Sequence, residues 1–169
     1  RKYIVFIIKK DEQLMSQNDT VFTMPTMAMR GIVVYPKTVV HFDVVRKKSI
    51  EALNIAMAGN RRIFLVTQRD ISVEEPNEKD LYSVGCVAKI RQIARVQGDV
   101  VRVLVEGCYR AEMLSLTSTE PTLYADVIRI IDQPVKCRPV YKEALLRNAK
   151  TAFDEYARVA PKVSPDVIM

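Results

Sequence analysis

The side chains in this sequence best able to carry covalent chemistry are a single histidine, His41, three cysteines, Cys86, Cys108 and Cys137, and the adjacent pair Lys48-Ser49. A nucleophilic triad would have to recruit His41, which sits in the β-patterned run Val39 to Val45 with no G-x-S-x-G elbow anywhere. Lys48-Ser49 reads as the entry to a helix, because neighbours at a helix entry are not held facing one another in a desolvated pocket, as a Ser-Lys nucleophile requires. Cys86 falls on the apolar side of its run, so burial and not thiolate reactivity is expected. One histidine and no C-x-x-C pair leave the usual zinc ligand sets without members. The five glycines are isolated and none opens a G-x-x-x-x-G-K-[ST] loop, so nucleotide hydrolysis has no support. Neither a catalytic residue, nor a metal site, nor a bound cofactor is expected in these 169 residues.

Binding chemistry is the alternative. The chain carries 26 basic and 20 acidic residues, a net charge of +6. Lys89, Arg91, Arg95, Arg102 and Arg110 lie on adjacent β-type runs and could meet phosphates. Asp99 and Glu106 dilute them, and Tyr109 is the one aromatic nearby on which a base could stack. A weak, salt-dependent nucleic-acid surface and a plain solvated sheet face both fit, the second more simply.

The elements that would position these residues are mostly strands. Ile32 to Tyr35, Val39 to Val45 and Arg62 to Thr67 are short β-branched and aromatic runs. In Val84 to Arg91 the even positions are apolar while Lys89 and Arg91 fall on the other face, the pattern of a half-buried strand. The alternation slips near Gln92-Ile93, which predicts a bulge. Gln97-Gly98-Asp99 marks a hairpin into Val100 to Val105, Gly107 is expected to end that strand, and Cys108 to Leu116 and Leu123 to Ile131 supply two more. Within this series Ile50, Leu53, Ala56 and Met57 recur at helical spacing, and Gly59-Asn60 is the expected stop. Glu74 to Asp80, with four acids and one lysine, reads as a solvated loop. The expected fold is therefore mainly β with α: a small antiparallel pseudo-barrel carrying one early helix.

Both ends differ in character. Residues 1–14 hold a six-residue apolar run, Tyr3 to Ile8, far short of the ~20 residues that span a bilayer, and no signal-peptide cleavage pattern follows it. They read as an N-terminal extension or a cloning remnant. If ordered, the run could pair with a sheet edge. Residues 15–133 form the expected β-rich domain. From Pro139 the apolar residues Tyr141, Leu145, Ala149, Ala152, Phe153, Tyr156 and Ala160 recur every three or four positions, so residues 134–169 read as the start of a truncated helical subdomain. With three unpaired cysteines the chain suits a reducing, cytoplasmic setting without a membrane.

Two blocks make the sequence specific. Arg30 to Pro36 followed by Val44 to Leu53, and then Asp70 to Pro76, Asp80 to Ile90 and Val101 to Ala111 in the same order, resemble the N-terminal domain of bacterial Lon proteases. Ala28 and His41 stand where many members of that family have proline, and Cys86 where threonine is common. The resemblance implies a non-catalytic region that recognises unfolded or damaged proteins and supports a hexameric ring. The ATPase module, with its ATP and magnesium, and the Ser-Lys protease module would both lie elsewhere in the parent. Other subunits would then be partners of that parent. A capture surface needs adaptable apolar side chains, which makes Met24, Met27 and Met29 candidate substrate contacts, with core packing as the competing role. A stand-alone adaptor built on the same domain is the alternative to a protease fragment.

Overall fold

A computed structural model of the chain describes residues 20–96, 98–131 and 136–159. The run Tyr3 to Ile8 and Ala160 lie outside the described residues. By its internal contacts the chain divides into two compact units between Ile131 and Asp132.

The first unit is built on six strands: β1 (Val21–Met29), β2 (Val39–Val44), β3 (Arg62–Thr67), β4 (Val84–Arg95), β5 (Val101–Ser118) and β6 (Leu123–Arg129). Their order is β2-β5-β4-β3-β1-β6, and β5 also pairs with β6, so five strands close a ring from which β2 hangs on β5. The ring is irregular. All pairings are antiparallel except β1 with β3, which run parallel because β2 and the helix α1 (Lys47–Ala58) cross over between them. The fold class expected from the sequence is the one observed.

Two strands differ from expectation. Ile32 to Tyr35 forms no strand; it runs as an irregular segment whose Tyr35 carbonyl accepts a hydrogen bond from Thr38 Oγ1 at 2.6 Å and packs against Gly107. Gly107 ends nothing. It lies inside the 18-residue β5, where a Cβ would collide with the Tyr35 carbonyl, so close backbone approach and not termination explains the glycine. The predicted slip is present, with register shifts in β4 between Val87 and Ala88 and between Ile90 and Gln92. The hairpin is also formed, with Val96 N donating to Val100 O at 2.9 Å and Gly98 at φ +73°.

Hydrophobic side chains gather on both faces of β1 and β3. One cluster joins Met27, Met29, Ile63 and Leu65 to Ala52, Leu53 and Ala56 of α1; the other joins Met24, Ala28, Phe64 and Val66 to Leu123, Ala125 and Val127 inside the ring. Alternate residues of a strand point to opposite faces, so where β1 and β3 are covered on both sides consecutive residues are buried, Thr26 to Met29 and Ile63 to Val66. Pro25 is tolerated because β1 changes neighbours there: Val21 to Thr26 pair with β6 and Thr26 to Met29 with β3.

Helix α1 buries Ser49, Ala52, Leu53 and Ala56, with Ile50 and Met57 partly buried against the same cluster. Its left-handed exit residue is Arg61, φ 61°, not Gly59. The second unit contains α2 (Pro139–Val159), which has no buried residue and shows Tyr141, Leu145 and Tyr156 at its surface.

Candidate functional site

The methionine expectation is corrected by burial. Met24, Met27 and Met29 are 8%, 3% and 5% exposed and packed in the two clusters that cover β1, which is the competing core role.

Of the basic candidates, Lys89, Arg91 and Arg102 share one face of β4 and β5, while Arg95 and Arg110, opposite buried Val101 and Cys86, lie on the other, so the five form no single track. Arg91 Nε donates to Glu106 Oε2 at 2.6 Å, and Arg102 grips Asp43 through two bonds of 2.7 and 2.8 Å. That pair holds the Asp43 carboxyl below its ordinary range, chiefly through the hydrogen bond from Arg102. Lys89 stands opposite Glu106 across the ladder, Arg95 opposite Val101, and Arg110 opposite Cys86. Charges of both signs alternate on the face that Lys89, Arg91 and Arg102 share, with Glu106 and Asp43 among them.

A different place concentrates chemistry. The N-terminal end of α1 opens on a cleft of about 350 Å³, walled by Ala28, Leu123 and Pro76 and edged by Arg46, Lys48 and Ser49. Its far rim is Glu74, Glu75 and Pro76, part of the segment Asp70 to Asp80, which both local and long-range bonds anchor. Buried Gln68 donates through Nε2 to Asp70 O and Val73 O at 3.2 and 2.9 Å, and Arg30 donates to Val73 O at 3.0 Å. A one-turn helix, Glu78–Asp80, closes the segment with Asn77 and Asp80 capping each other. The charged stretch Glu74 to Asp80, read as a solvated loop, is largely exposed, and its first three residues also wall the cleft. Two anchors of this segment, Arg30 and Arg46, are 43 and 28 residues from the carbonyls they hold, which no local signal reports, whereas Gln68 is a near neighbour.

Arg46 is the N-cap of α1 and half buried. Its guanidinium donates to Ala28 O at 2.7 Å, Gln68 Oε1 at 2.9 Å and Glu74 O at 3.3 Å, all neutral acceptors. Burial, followed by the nearby Arg30, lowers its affinity for the proton, while Glu75 acts in the opposite direction. Lys48 differs: its ammonium lies 2.6 Å from both Glu75 and Glu120, and those bonds raise its pKa. Thr122 Oγ1 donates to Lys48 O at 2.7 Å and pins the first turn of α1 to the start of β6. Among the described residues no cluster of three His, Cys, Asp or Glu side chains could hold a metal ion. No described helix is long and apolar enough to cross a membrane.

Comparison with known proteins gives one consistent result. Residues 23–169 match the family model of the ATP-dependent protease La (LON) substrate-binding domain. The chain is 40% identical over 153 residues to a Lon protease of Syntrophomonas wolfei, covering 90% of this chain and 19% of that one. It is 38% identical over 144 residues to Lon protease 1 of Bacillus subtilis, covering 85% and 18%. The chain thus spans about a fifth of the length of these relatives. The fold matches the N-terminal domain of a Mycobacterium avium complex Lon protease with TM-score 0.60 and 20% identity, covering 81% of this chain and 68% of that one.

Proposed function

From the premise that this chain belongs to the Lon substrate-binding domain family, we propose that it is the recognition region of an ATP-dependent Lon-type protease of the bacterial cytoplasm. In this reading it engages unfolded or damaged polypeptides and helps align subunits of a ring. The region corresponds to the substrate-binding domain and not to the protease domain. Peptide cleavage, and the ATP and magnesium that drive it, would belong to residues outside this chain, which has no phosphate-loop motif.

The observation that carries the reading is the family match over residues 23–169. Supporting it, the described β-unit offers an open cleft with apolar walls and charged edges, the composition expected of a site that accepts peptide segments. Single-site affinity should be low, because a ring presents several copies of one modest site to one long chain and each engaged copy makes the next event intramolecular.

The test is a titration of this chain with fluorescently labelled, chemically unfolded casein and with a native globular protein of similar size. Saturable binding of the unfolded chain alone, without cleavage when ATP is added, is expected. Equal or absent binding of both would contradict the assignment.

A further inference from the structure

Strand β2 stands at the end of the sheet order and pairs with β5 alone, so one of its edges meets no described strand. The ladder fixes which backbone groups that edge carries. Gly107 N donates to Thr38 O at 2.9 Å, so the Thr38 carbonyl faces β5. Backbone groups alternate in direction along a strand, and Val40, Phe42 and Val44, opposite Val105, Val103 and Val101, therefore face β5 as well. The N–H and C=O groups of Val39, His41 and Asp43 point the other way, where no described backbone group bonds to them. Sheets ordinarily guard such an edge with a proline, a bulge or an inward-pointing charge. β2 has none of these: its ladder is regular, and His41 and Asp43 lie on the exposed face, Asp43 held there by Arg102.

A groove beside this edge is an independent observation. A cavity of about 150 Å³ is lined by Phe42, Val44 and Val45 and, across from them, by Met27, Met29 and Ile32. No β5 residue lines it, so it opens on the unpaired side of β2. It is well below the ~300–1,000 Å³ of small-ligand clefts and suits a single aliphatic side chain. Val39 and Val45, at the two ends of the strand, are 61% and 63% exposed.

We propose that the free edge of β2 takes an extended segment of unfolded polypeptide as an added strand, with one apolar side chain of that segment in the groove. The inference rests on the substrate-recognition reading and names the mode of capture. Main-chain bonds to Val39, His41 and Asp43 supply affinity without a fixed sequence, and the groove selects among alternate side chains. A folded protein, whose backbone groups are already paired, offers no such strand, so the edge separates unfolded chains from native ones. Residues opposite Val40, Phe42 and Val44 fall on the core side and those opposite Val39, His41 and Asp43 on the solvent side, so the favoured segment alternates apolar and polar residues. Exposed Lys37 before the strand and exposed Lys47 after it favour acidic flanks on that segment.

The test uses this chain and a labelled peptide, Asp-Gly-Thr-Val-Thr-Val-Thr-Val-Gly-Asp, prepared unmodified, N-methylated at every threonine, or N-methylated at every valine. Fluorescence anisotropy should show one methylated form losing affinity about tenfold or more while the other stays within about threefold of the unmodified peptide, because alternate amides face β2 and solvent. Loss on threonine methylation makes the added strand antiparallel, and loss on valine methylation makes it parallel. Equal binding by all forms, or equal loss in both methylated forms, overturns the proposal. His41→Pro removes one edge N–H and leaves the β2-β5 ladder its own donors, so the thermal midpoint should stay within a few degrees while peptide affinity falls about tenfold. His41→Thr keeps the N–H and should bind as the parent chain does. If His41→Pro does not fold, the methylated peptides decide alone; if it folds and binds as before, the proposal is overturned. So it is by a dimer of the parent chain, seen in sedimentation and lost in His41→Pro, which would give the edge to a second copy, or by peptide binding that appears only once residues 1–14 are removed, which would give it to Tyr3 to Ile8. Unfolded casein is titrated in parallel: if it binds His41→Pro as tightly as the parent chain, the edge proposal has failed alone, and if it binds neither, the recognition reading has failed with it.

Discussion

Cys86 is 1% exposed, and burial pushes its thiol up to about 11, with hydrogen bonds from the Cys108 and Tyr109 backbone opposing. At pH 8 its thiolate fraction is then about one part in a thousand. Cys108 and Cys137 are exposed. Iodoacetamide at pH 8 is expected to label Cys108 and Cys137 in the folded chain and Cys86 only after denaturation, as peptide mass mapping would show; rapid native labelling of Cys86 would mean that β4 opens. The position of Cys86 was legible because β4 alternates. For Met24, Met27 and Met29 core packing was readable beside substrate contact, but which cluster each enters was not, since that depends on α1 and β6 covering opposite faces of β1, a contact between segments far apart in sequence. His41 shows the same limit in reverse. Its strand was readable, but its exposed place on β2, opposite Leu104, follows from the ladder with β5.

Helix α1 depends on tertiary packing more than on its own ends. Leu53, 1% exposed, fills the cluster with Ile63, Leu65 and Ala88. Leu53→Ala should lower unfolding stability by about 2–5 kcal/mol, with the transition shifted to lower urea and its slope unchanged. Gly107→Ala should be at least as damaging, because the Tyr35 carbonyl it would meet is backbone and cannot swing aside. A small midpoint shift for Gly107→Ala would show that the Ile32–Tyr35 segment yields easily. The apolar stripe of α1, the β4 bulge and the β4-β5 hairpin could all be read from periodicity and turn residues, which are local signals. The parallel β1-β3 pair and the unbroken β5 could not, because strand neighbours are chosen by the closing of the ring. The cleft escaped for the same reason: its rim is held in part by Arg30 and Arg46 reaching across to the carbonyls of Val73 and Glu74.

For the whole molecule, the ring closes among described residues through β5-β4-β3-β1-β6 and back to β5. Deleting residues 1–14 should therefore leave the thermal midpoint of the first unit nearly unchanged; a large drop, followed by circular dichroism, would show that Tyr3 to Ile8 contributes to the fold. The central claim is that this region delivers unfolded chains to a catalytic machine located elsewhere. It is tested most directly in a full-length Lon-type protease carrying this region, by comparing degradation of unfolded casein with and without residues 20–131 while ATP hydrolysis is measured in the same reaction. The account predicts that ATP hydrolysis persists and casein degradation falls sharply. Undiminished degradation at equal ATPase activity would contradict it.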